Sequence, residues 1–119
     1  MRIINLSHLV HAGLYSLAGL KRAWSNEQAF RHEVLMIPII LVLLLVLRPG
    51  AGWTAAALFG WLAVMSFELV NSAIEEAFNL ISPGYNERVK FGKDMASAAI
   101  LLALIGNGIL WICLVISLA

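Results

Sequence analysis

Residues 51–67 read AGWTAAALFGWLAVMSF, a run of seventeen residues without a charged side chain. The helical pattern continues through ELVNSAIE at residues 68–75 to about Leu80, and Ser82-Pro83-Gly84 then gives a turn signal. A helix needs about 20 mostly apolar residues to cross a bilayer. We therefore predict a membrane-spanning helix over 51–80, in which polar residues follow directly on the apolar run.

Two further apolar stretches lie on either side of this segment. Residues 34–47 (VLMIPIILVLLLVL) carry no charge, and Ser25-Asn26-Glu27-Gln28 resembles a capping box that would begin the same helix. This predicts a first span over about 26–47. Residues 95–119 also lack charge and predict a third span over about 86–118.

The N-terminal segment has a different pattern, because its apolar residues alternate with polar ones. Over about residues 5–24, apolar side chains recur at steps of three and four, and Trp24 closes the series. Polar and basic residues, among them His8, His11 and Lys21, occupy much of the rest. Such an amphipathic helix is typical of a segment that lies on the membrane surface.

The composition supports a small integral membrane protein. Hydrophobic residues make up 61% of the 119 residues, charged residues 13%, and the mean hydropathy is +0.89. Soluble domains carry about 25% charged residues, so an ordinary cytosolic domain, a disordered tail and a nucleic-acid-binding protein are excluded. The single cysteine, Cys113, excludes a disulfide scaffold and a cysteine-based zinc cluster. We predict one all-α domain over 1–119.

The positive charges predict the orientation of this domain in the membrane. Seven of the eight Lys and Arg residues precede the first span or lie between the second and third, and only Arg48 lies on the other side. Positive charges in short loops stay on the cytoplasmic side. The N-terminus is therefore predicted to be cytoplasmic and the C-terminus to be outside.

One face of the second span carries the polar residues that suggest chemistry. Glu68, Asn71, Ser72 and Glu75 follow the steps i, i+3, i+4 and i+7. Ionisable groups inside a membrane are costly, so they are functional candidates by default. Carboxylates about 10 Å apart along a helix suit two roles, a general base and a ligand for Mg²⁺. A device that fixes the register of packed helices is the structural alternative.

Further charged residues are expected at the cytoplasmic level of the membrane. Glu27 begins the first span, and Lys93-Asp94 opens the third, both at a depth comparable to that of Glu75. Carboxylates, Mg²⁺ and a lysine together would suit a polyphosphate. A Walker A loop does not support this, because Asp94 follows Gly92-Lys93 and Glu87 stands where that motif has its first glycine.

The residues 68–75, Glu68-Leu69-Val70-Asn71-Ser72-Ala73-Ile74-Glu75, resemble the signature of the prokaryotic diacylglycerol kinases, which are small lipid kinases with three spans. The resemblance extends without apparent gaps from about residue 8 over nearly the whole chain. The further blocks that match are Tyr15-Ser16, Gly19-Leu20, Ala23-Trp24, Asn26-Glu27, Ala29-Phe30-Arg31, Glu33, Lys93-Asp94-Met95 and Ser97-Ala98-Ala99.

The resemblance implies a homotrimer in the bacterial inner membrane, with composite active sites at the cytoplasmic face. It implies transfer of the ATP γ-phosphoryl group to the hydroxyl of diacylglycerol, with Mg²⁺ as the metal. By resemblance, Glu68 is the general base, and Glu27 and Glu75 bind the metal. The residues that match nucleotide-binding positions are Tyr15, Glu27, Glu75, Tyr85, Lys93 and Asp94. The residues that match lipid-binding positions are Ser16, Trp24, Phe30, Arg31, Glu33, Glu68 and Ser97.

The chain departs from the family pattern at three places. Phe78-Asn79 stands where the signature normally ends in Val-Asp, and His8 stands where members often carry an arginine near the nucleotide. The loop 82–86 keeps Tyr85 but has altered neighbours. These departures leave the predicted base and metal ligands unchanged.

Three alternatives to a diacylglycerol kinase stay open at this stage. A related branch of the same architecture phosphorylates undecaprenol. A proton-coupled exporter would use one membrane glutamate, but it would leave Glu27, Glu75 and Lys93-Asp94 without a role. An assembly protein without catalytic activity would use the acidic face only to set the register of its helices.

Overall fold

The computed structural model describes residues 4–119, and this part of the chain forms four α-helices and no strand. The helices are α1 (Leu6–Asn26), α2 (Gln28–Leu47), α3 (Ala51–Ile81) and α4 (Glu87–Ser117). The predicted all-α fold with one N-terminal helix and three apolar helices is confirmed. Arg2, which entered the count of positive charges, lies outside the described residues.

Three of the helices are long and apolar enough to cross a membrane, namely α2, α3 and α4. At about 1.5 Å per residue, the 31 residues of α3 and of α4 exceed the hydrocarbon thickness of about 30 Å. Their ends therefore reach into the headgroup layers. The protein is a membrane protein whose predicted second and third spans agree with the structure to within a residue or two.

The first span begins two residues later than predicted, and the predicted capping box is wrong. Residues 25–28 do not form a capping box, because the Ser25 hydroxyl donates to the Lys21 carbonyl oxygen (3.0 Å) inside α1. Serine competes for backbone carbonyls in this way whenever the preceding turn is helical. As a result, α1 continues to Asn26, Glu27 is extended (φ −111°, ψ 109°), and the span begins only at Gln28.

Arg31 stabilises the break between α1 and α2. Its Nη1 donates to the carbonyl oxygens of Trp24 (3.2 Å) and Ser25 (3.1 Å). The last carbonyls of a helix have no partner within the helix, and a cation near them is favourable. The short junction therefore holds Glu27 at the point where the surface helix meets the membrane.

The other two turns follow their sequence signals. Arg48 adopts the left-handed conformation (φ 49°) that ends α2, and Gly50 has φ 100°, which favours glycine. The Asn86 side chain begins α4 by accepting from the backbone N–H groups of Arg88 (3.0 Å) and Val89 (3.2 Å). Both turns are short, so α3 runs antiparallel to α2 and to α4.

The helices pack around two small apolar clusters. One joins α2, α3 and α4 near the predicted outer side through Ile40, Leu44, Ala57 and Leu114. The other joins α1, α2 and α3 near the predicted cytoplasmic side through Ala23, Phe30 and Met65. Ala23 is the one buried residue of α1, so the rest of this helix projects away from the other three, as expected for a surface helix.

A hydrogen bond from a tryptophan side chain joins α2 to α3. The Trp61 Nε1 donates to the Glu33 carbonyl oxygen at 2.8 Å. Pro38 lies five residues farther along α2 without ending it, and proline is tolerated inside membrane-spanning helices. The contact places Glu33 beside α3, on the side of the molecule where the candidate site lies.

Candidate functional site

A cleft of about 970 Å³ lies between the C-terminal half of α1 and the C-terminal half of α3. On the α1 side its polar lining comes from Ser16, Arg22, Asn26 and Glu27. Arg22 and Asn26 were not predicted as site residues, although both lie within one turn of Glu27. The cleft therefore joins the predicted lipid-binding Ser16 to the predicted metal ligand Glu27.

On the α3 side the lining is a single stripe of one helix. Leu69, Ser72, Ala73 and Glu76 lie in the cleft at steps i, i+3, i+4 and i+7. This stripe is next to the predicted stripe that carries Glu68, and it shares Ser72 with it. Glu76 was interpreted from the sequence as a solvated interfacial residue. It is exposed, and it also faces Glu27 across the cleft.

Four glutamates form a group at the inner end of the bundle. The carboxylate of Glu68 lies close enough to those of Glu27 and Glu75 for their negative charges to repel one another. Glu33 lies within the same range of Glu68, although the two are 35 positions apart in the sequence. The structure therefore brings together the predicted base, both predicted metal ligands and one predicted lipid-binding residue.

The four glutamates differ in how far their side chains are buried. Glu33 is only 9% exposed, and its Oε2 has no hydrogen-bond partner among the described residues. Glu27, Glu68 and Glu75 are half-buried. The Asn71 Nδ2 lies 3.4 Å from the Glu75 Oε1, which orients the carboxylate of Glu75. Of the four glutamates, only Glu27 lines the cleft, whereas Glu33, Glu68 and Glu75 lie outside its lining.

No basic side chain within residues 4–119 forms an ion pair with these glutamates, although Arg22 lines the same cleft as Glu27. The one ion pair in this part of the chain joins Lys90 and Asp94, at 2.7 Å. Uncompensated carboxylates favour a hard divalent cation, and Mg²⁺ needs only one or two protein carboxylates when substrate phosphates and water complete its shell. Within the described chain no three His, Cys, Asp or Glu residues form a cluster for a metal. The glutamates can therefore supply only part of the coordination shell of a divalent cation.

The predicted lipid-binding residues occupy different environments. Phe30 is 3% exposed and packs with Ala23 and Met65 next to the cleft. Trp24 is partly exposed at the end of α1, Arg31 is engaged with backbone carbonyls of α1, and Ser97 is exposed on α4. Of the predicted lipid-binding residues, Ser16 lines the cleft and Glu33 and Glu68 belong to the glutamate group, whereas Ser97 lies on α4 and does not line the cleft.

The predicted nucleotide-binding residues are distributed over three elements. Tyr15 and Tyr85 are exposed, on α1 and in the loop before α4. The Lys93 Nζ donates to the Asn79 Oδ1 at 2.6 Å, and Asp94 pairs with Lys90. Of these four side chains, Lys93 contacts the end of α3 through Asn79, and none of the four lines the cleft.

Comparisons with known proteins identify the family of the chain. The sequence matches the family "Prokaryotic diacylglycerol kinase" over residues 14–115. It is 38% identical over 106 residues to a diacylglycerol kinase of Haemophilus influenzae, which covers 89% of this chain and 90% of that protein. It is 36% identical over 105 residues to a diacylglycerol kinase of Escherichia coli K12, with 88% and 86% coverage.

A third relative gives the same result. A diacylglycerol kinase of Helicobacter pylori J99 is 38% identical over 104 residues, which are 87% of this chain and 80% of that protein. The family match over residues 14–115 includes α2 and α3 in full, most of α1 and of α4, and every candidate site residue. The chain belongs to the prokaryotic diacylglycerol kinase family.

Proposed function

We propose that this chain phosphorylates diacylglycerol, using ATP as the phosphoryl donor and Mg²⁺ as the metal, and releases phosphatidic acid and ADP. The observation that supports this most is the position of Glu68. It is half-buried in the span α3, next to two further carboxylates. A carboxylate at that level can meet a hydroxyl that stays in the membrane.

Glu68 is the general base in this proposal. As the lipid hydroxyl oxygen forms its bond to the γ-phosphorus, the hydroxyl proton passes to the Glu68 carboxylate. The bond between the γ-phosphorus and the oxygen that bridges it to the β-phosphate breaks, and ADP leaves with that oxygen. The protein contributes mainly position and charge to such a transfer, so a short chain with few polar residues suffices.

Glu27 and Glu75 would hold Mg²⁺ together with the phosphates of ATP. When bound, the cation neutralises negative charge on the phosphates. Without it the three carboxylates would repel a triphosphate, because no basic side chain of residues 4–119 pairs with them. Glu75 lies about 10 Å along α3 from Glu68. It is the nearer of the two to the helix end at which a water-soluble nucleotide approaches.

The lipid would enter from the side of α1. This helix projects from the bundle with most of its side chains exposed, and it borders the cleft that contains Ser16 and Glu27. Diacylglycerol has its hydroxyl at the level of the headgroups and its chains in the hydrocarbon layer. A cleft between a surface helix and a span gives access to both regions.

The enzyme would act as a homotrimer with composite sites on the cytoplasmic face of the bacterial inner membrane. In one chain the cleft is lined by exposed side chains, and Tyr15, Tyr85 and Ser97 do not meet the glutamates. A neighbouring copy of the chain would supply the side chains that complete the site. Native mass spectrometry of the protein released from detergent should therefore give three times the mass of one chain, 13.0 kDa.

The substrate proposal is tested by comparing two lipid alcohols side by side. Purified protein is given labelled ATP, Mg²⁺ and either short-chain diacylglycerol or undecaprenol in the same detergent. We expect labelled phosphatidic acid and much slower labelling of the polyprenol. Faster labelling of undecaprenol would assign the chain to the polyprenol branch, and labelling of neither would refute the proposal.

A further inference from the structure

The end of α3 and the beginning of α4 approach each other closely. Phe78 lies against Gly92, and a Cβ atom on residue 92 would come within 2.8 Å of the Phe78 Cζ. Only glycine accommodates the ring at this distance without a shift of one partner. Asn79 follows Phe78 on α3, and Lys93 follows Gly92 on α4. The contact between Phe78 and Gly92 therefore holds Asn79 and Lys93 close together.

Asn79 and Lys93 form a direct hydrogen bond. The Lys93 Nζ donates to the Asn79 Oδ1 at 2.6 Å, and the lysine side chain is half-buried whereas Asn79 is exposed. An ammonium group has three N–H donors, and an amide oxygen is a neutral acceptor. Lys93 therefore keeps its full positive charge and two donors while its position is fixed.

Lys90, one turn earlier on α4, provides a contrast within the same helix. Its Nζ pairs with the Asp94 carboxylate at 2.7 Å, and both side chains are well exposed. The charge of Lys90 is thus compensated by its partner. Of these two lysines, only Lys93 combines a fixed position with an uncompensated charge.

We propose that Asn79 is a positioning residue, which holds the Lys93 ammonium group for the phosphates of a nucleoside triphosphate without neutralising it. This inference rests on the proposed function, in which Lys93 binds the nucleotide. Charge-assisted hydrogen bonds from lysine to phosphate are strong because the ammonium is ionised. A carboxylate at position 79 would form an ion pair with Lys93 and compete with the phosphate.

The test is a series of substitutions at position 79 measured as KM for MgATP, kcat and KM for diacylglycerol. Asn79→Asp should raise the KM for MgATP about fivefold, the upper range for an exposed ion pair. Its kcat and its KM for the lipid should stay near those of the parent. Asn79→Ala should raise the KM for MgATP about twofold, because the ammonium loses its fixed position but gains no competitor.

Two controls separate this role from a general effect of charge or folding. Asn5→Asp makes the same chemical change on the N-cap of α1, where the side chain makes no capping bond, and should leave the KM for MgATP unchanged. In a Lys93→Met background, Asn79→Asp should have almost no further effect on KM. The thermal midpoint of Asn79→Asp should equal or exceed that of the parent, because the new ion pair joins two helices.

The outcomes distinguish this inference from the proposed function. An unchanged KM for MgATP in Asn79→Asp, or a full effect that persists in Lys93→Met, overturns the role of Asn79 while lipid phosphorylation stands. If the parent protein labels no lipid, the proposed function fails. Direct titration of the parent and of Asn79→Asp with a non-hydrolysable MgATP analogue then decides the role of Asn79 by the same fivefold weakening.

Discussion

In the interior of the membrane, Asn107 contacts Gly60 through both the nitrogen and the oxygen of its side-chain amide. The Asn107 Nδ2 donates to the Gly60 carbonyl oxygen at 2.9 Å and to the Ala103 carbonyl oxygen at 2.8 Å. The Asn107 Oδ1 lies 2.8 Å from the place where a Cβ atom on residue 60 would stand. Asn107 is only 8% exposed. The pair therefore fixes how closely and in which register α3 and α4 pack.

The first prediction concerns the coupling between these two residues. Gly60→Ala should destabilise the protein by about 1–3 kcal/mol, because the new methyl group overlaps the Asn107 amide. Asn107→Ala should cost about 0.6 kcal/mol and at most about 1.7, the usual range for polar contacts between membrane helices. The double variant should lose clearly less than the sum, since alanine at 107 leaves space for alanine at 60.

Unfolding of the four proteins in mixed micelles with increasing denaturing detergent measures this coupling. Gly52→Ala is the matched control, because a Cβ atom on residue 52 meets nothing within 4 Å. It should leave the stability of the protein nearly unchanged. Strictly additive effects of Gly60→Ala and Asn107→Ala would show that the two side chains do not share this space.

The second prediction concerns the metal. Glu27→Gln and Glu75→Gln should each raise the Mg²⁺ concentration required for half-maximal activity by about tenfold or more, since even outer partners of metal ligands contribute that much. Glu87→Gln, an exposed change in the first turn of α4, serves as the control. Activity measured against free Mg²⁺ at fixed ATP gives the result. Parent-like Mg²⁺ curves for both glutamine variants would rule out this assignment.

The third prediction concerns orientation, since the glutamates meet ATP only if they face the cytoplasm. Single cysteines at Gly84 and Gly52 are introduced in a Cys113→Ser background. Both glycines are exposed, and a Cβ atom on either meets nothing within 4 Å. The excess of positive charge in the inner segments predicts that cysteine at 52 reacts with a membrane-impermeant thiol reagent in intact cells. Cysteine at 84 should react only after permeabilisation.

The opposite labelling pattern would place Glu27 and Glu75 outside the cell, where ATP is scarce, and would refute the cytoplasmic site. Asn86 is less suitable for this purpose than Gly84. Its side chain begins α4 by accepting two backbone N–H groups, and the loss of such a cap typically costs about 1 kcal/mol.

The helices and the acidic face of α3 were predictable because they depend on local periodicity. Glu68 and Glu75 are seven residues apart, so two turns of any helix place them on one side. The apolar runs likewise define the spans by their length. The break at Glu27 was misplaced because a serine near a helix end can either accept from a following backbone N–H as a cap or donate to a preceding carbonyl oxygen. Ser25 donates to the Lys21 carbonyl oxygen.

The features that escaped prediction depend on how the helices cross. Gly60 and Asn107 are 47 positions apart, and neither residue has a signal of its own in an apolar run. Glu76 enters the cleft only because α1 packs on the stripe that begins at Leu69. Lys93 meets Asn79 rather than a carboxylate, which follows from the close approach of Phe78 and Gly92.

The central claim is that Glu68 is the base of a lipid phosphorylation, and one initial rate tests it. Labelled phosphate transfer from MgATP to short-chain diacylglycerol is measured for the parent, for Glu68→Gln and for the control Glu87→Gln, with nucleotide binding checked in each. We expect Glu68→Gln to bind MgATP normally and to lose about 10²- to 10⁴-fold in rate, the usual contribution of a general base, while Glu87→Gln stays active. A Glu68→Gln variant that retains more than about a tenth of the parental rate would contradict the claim.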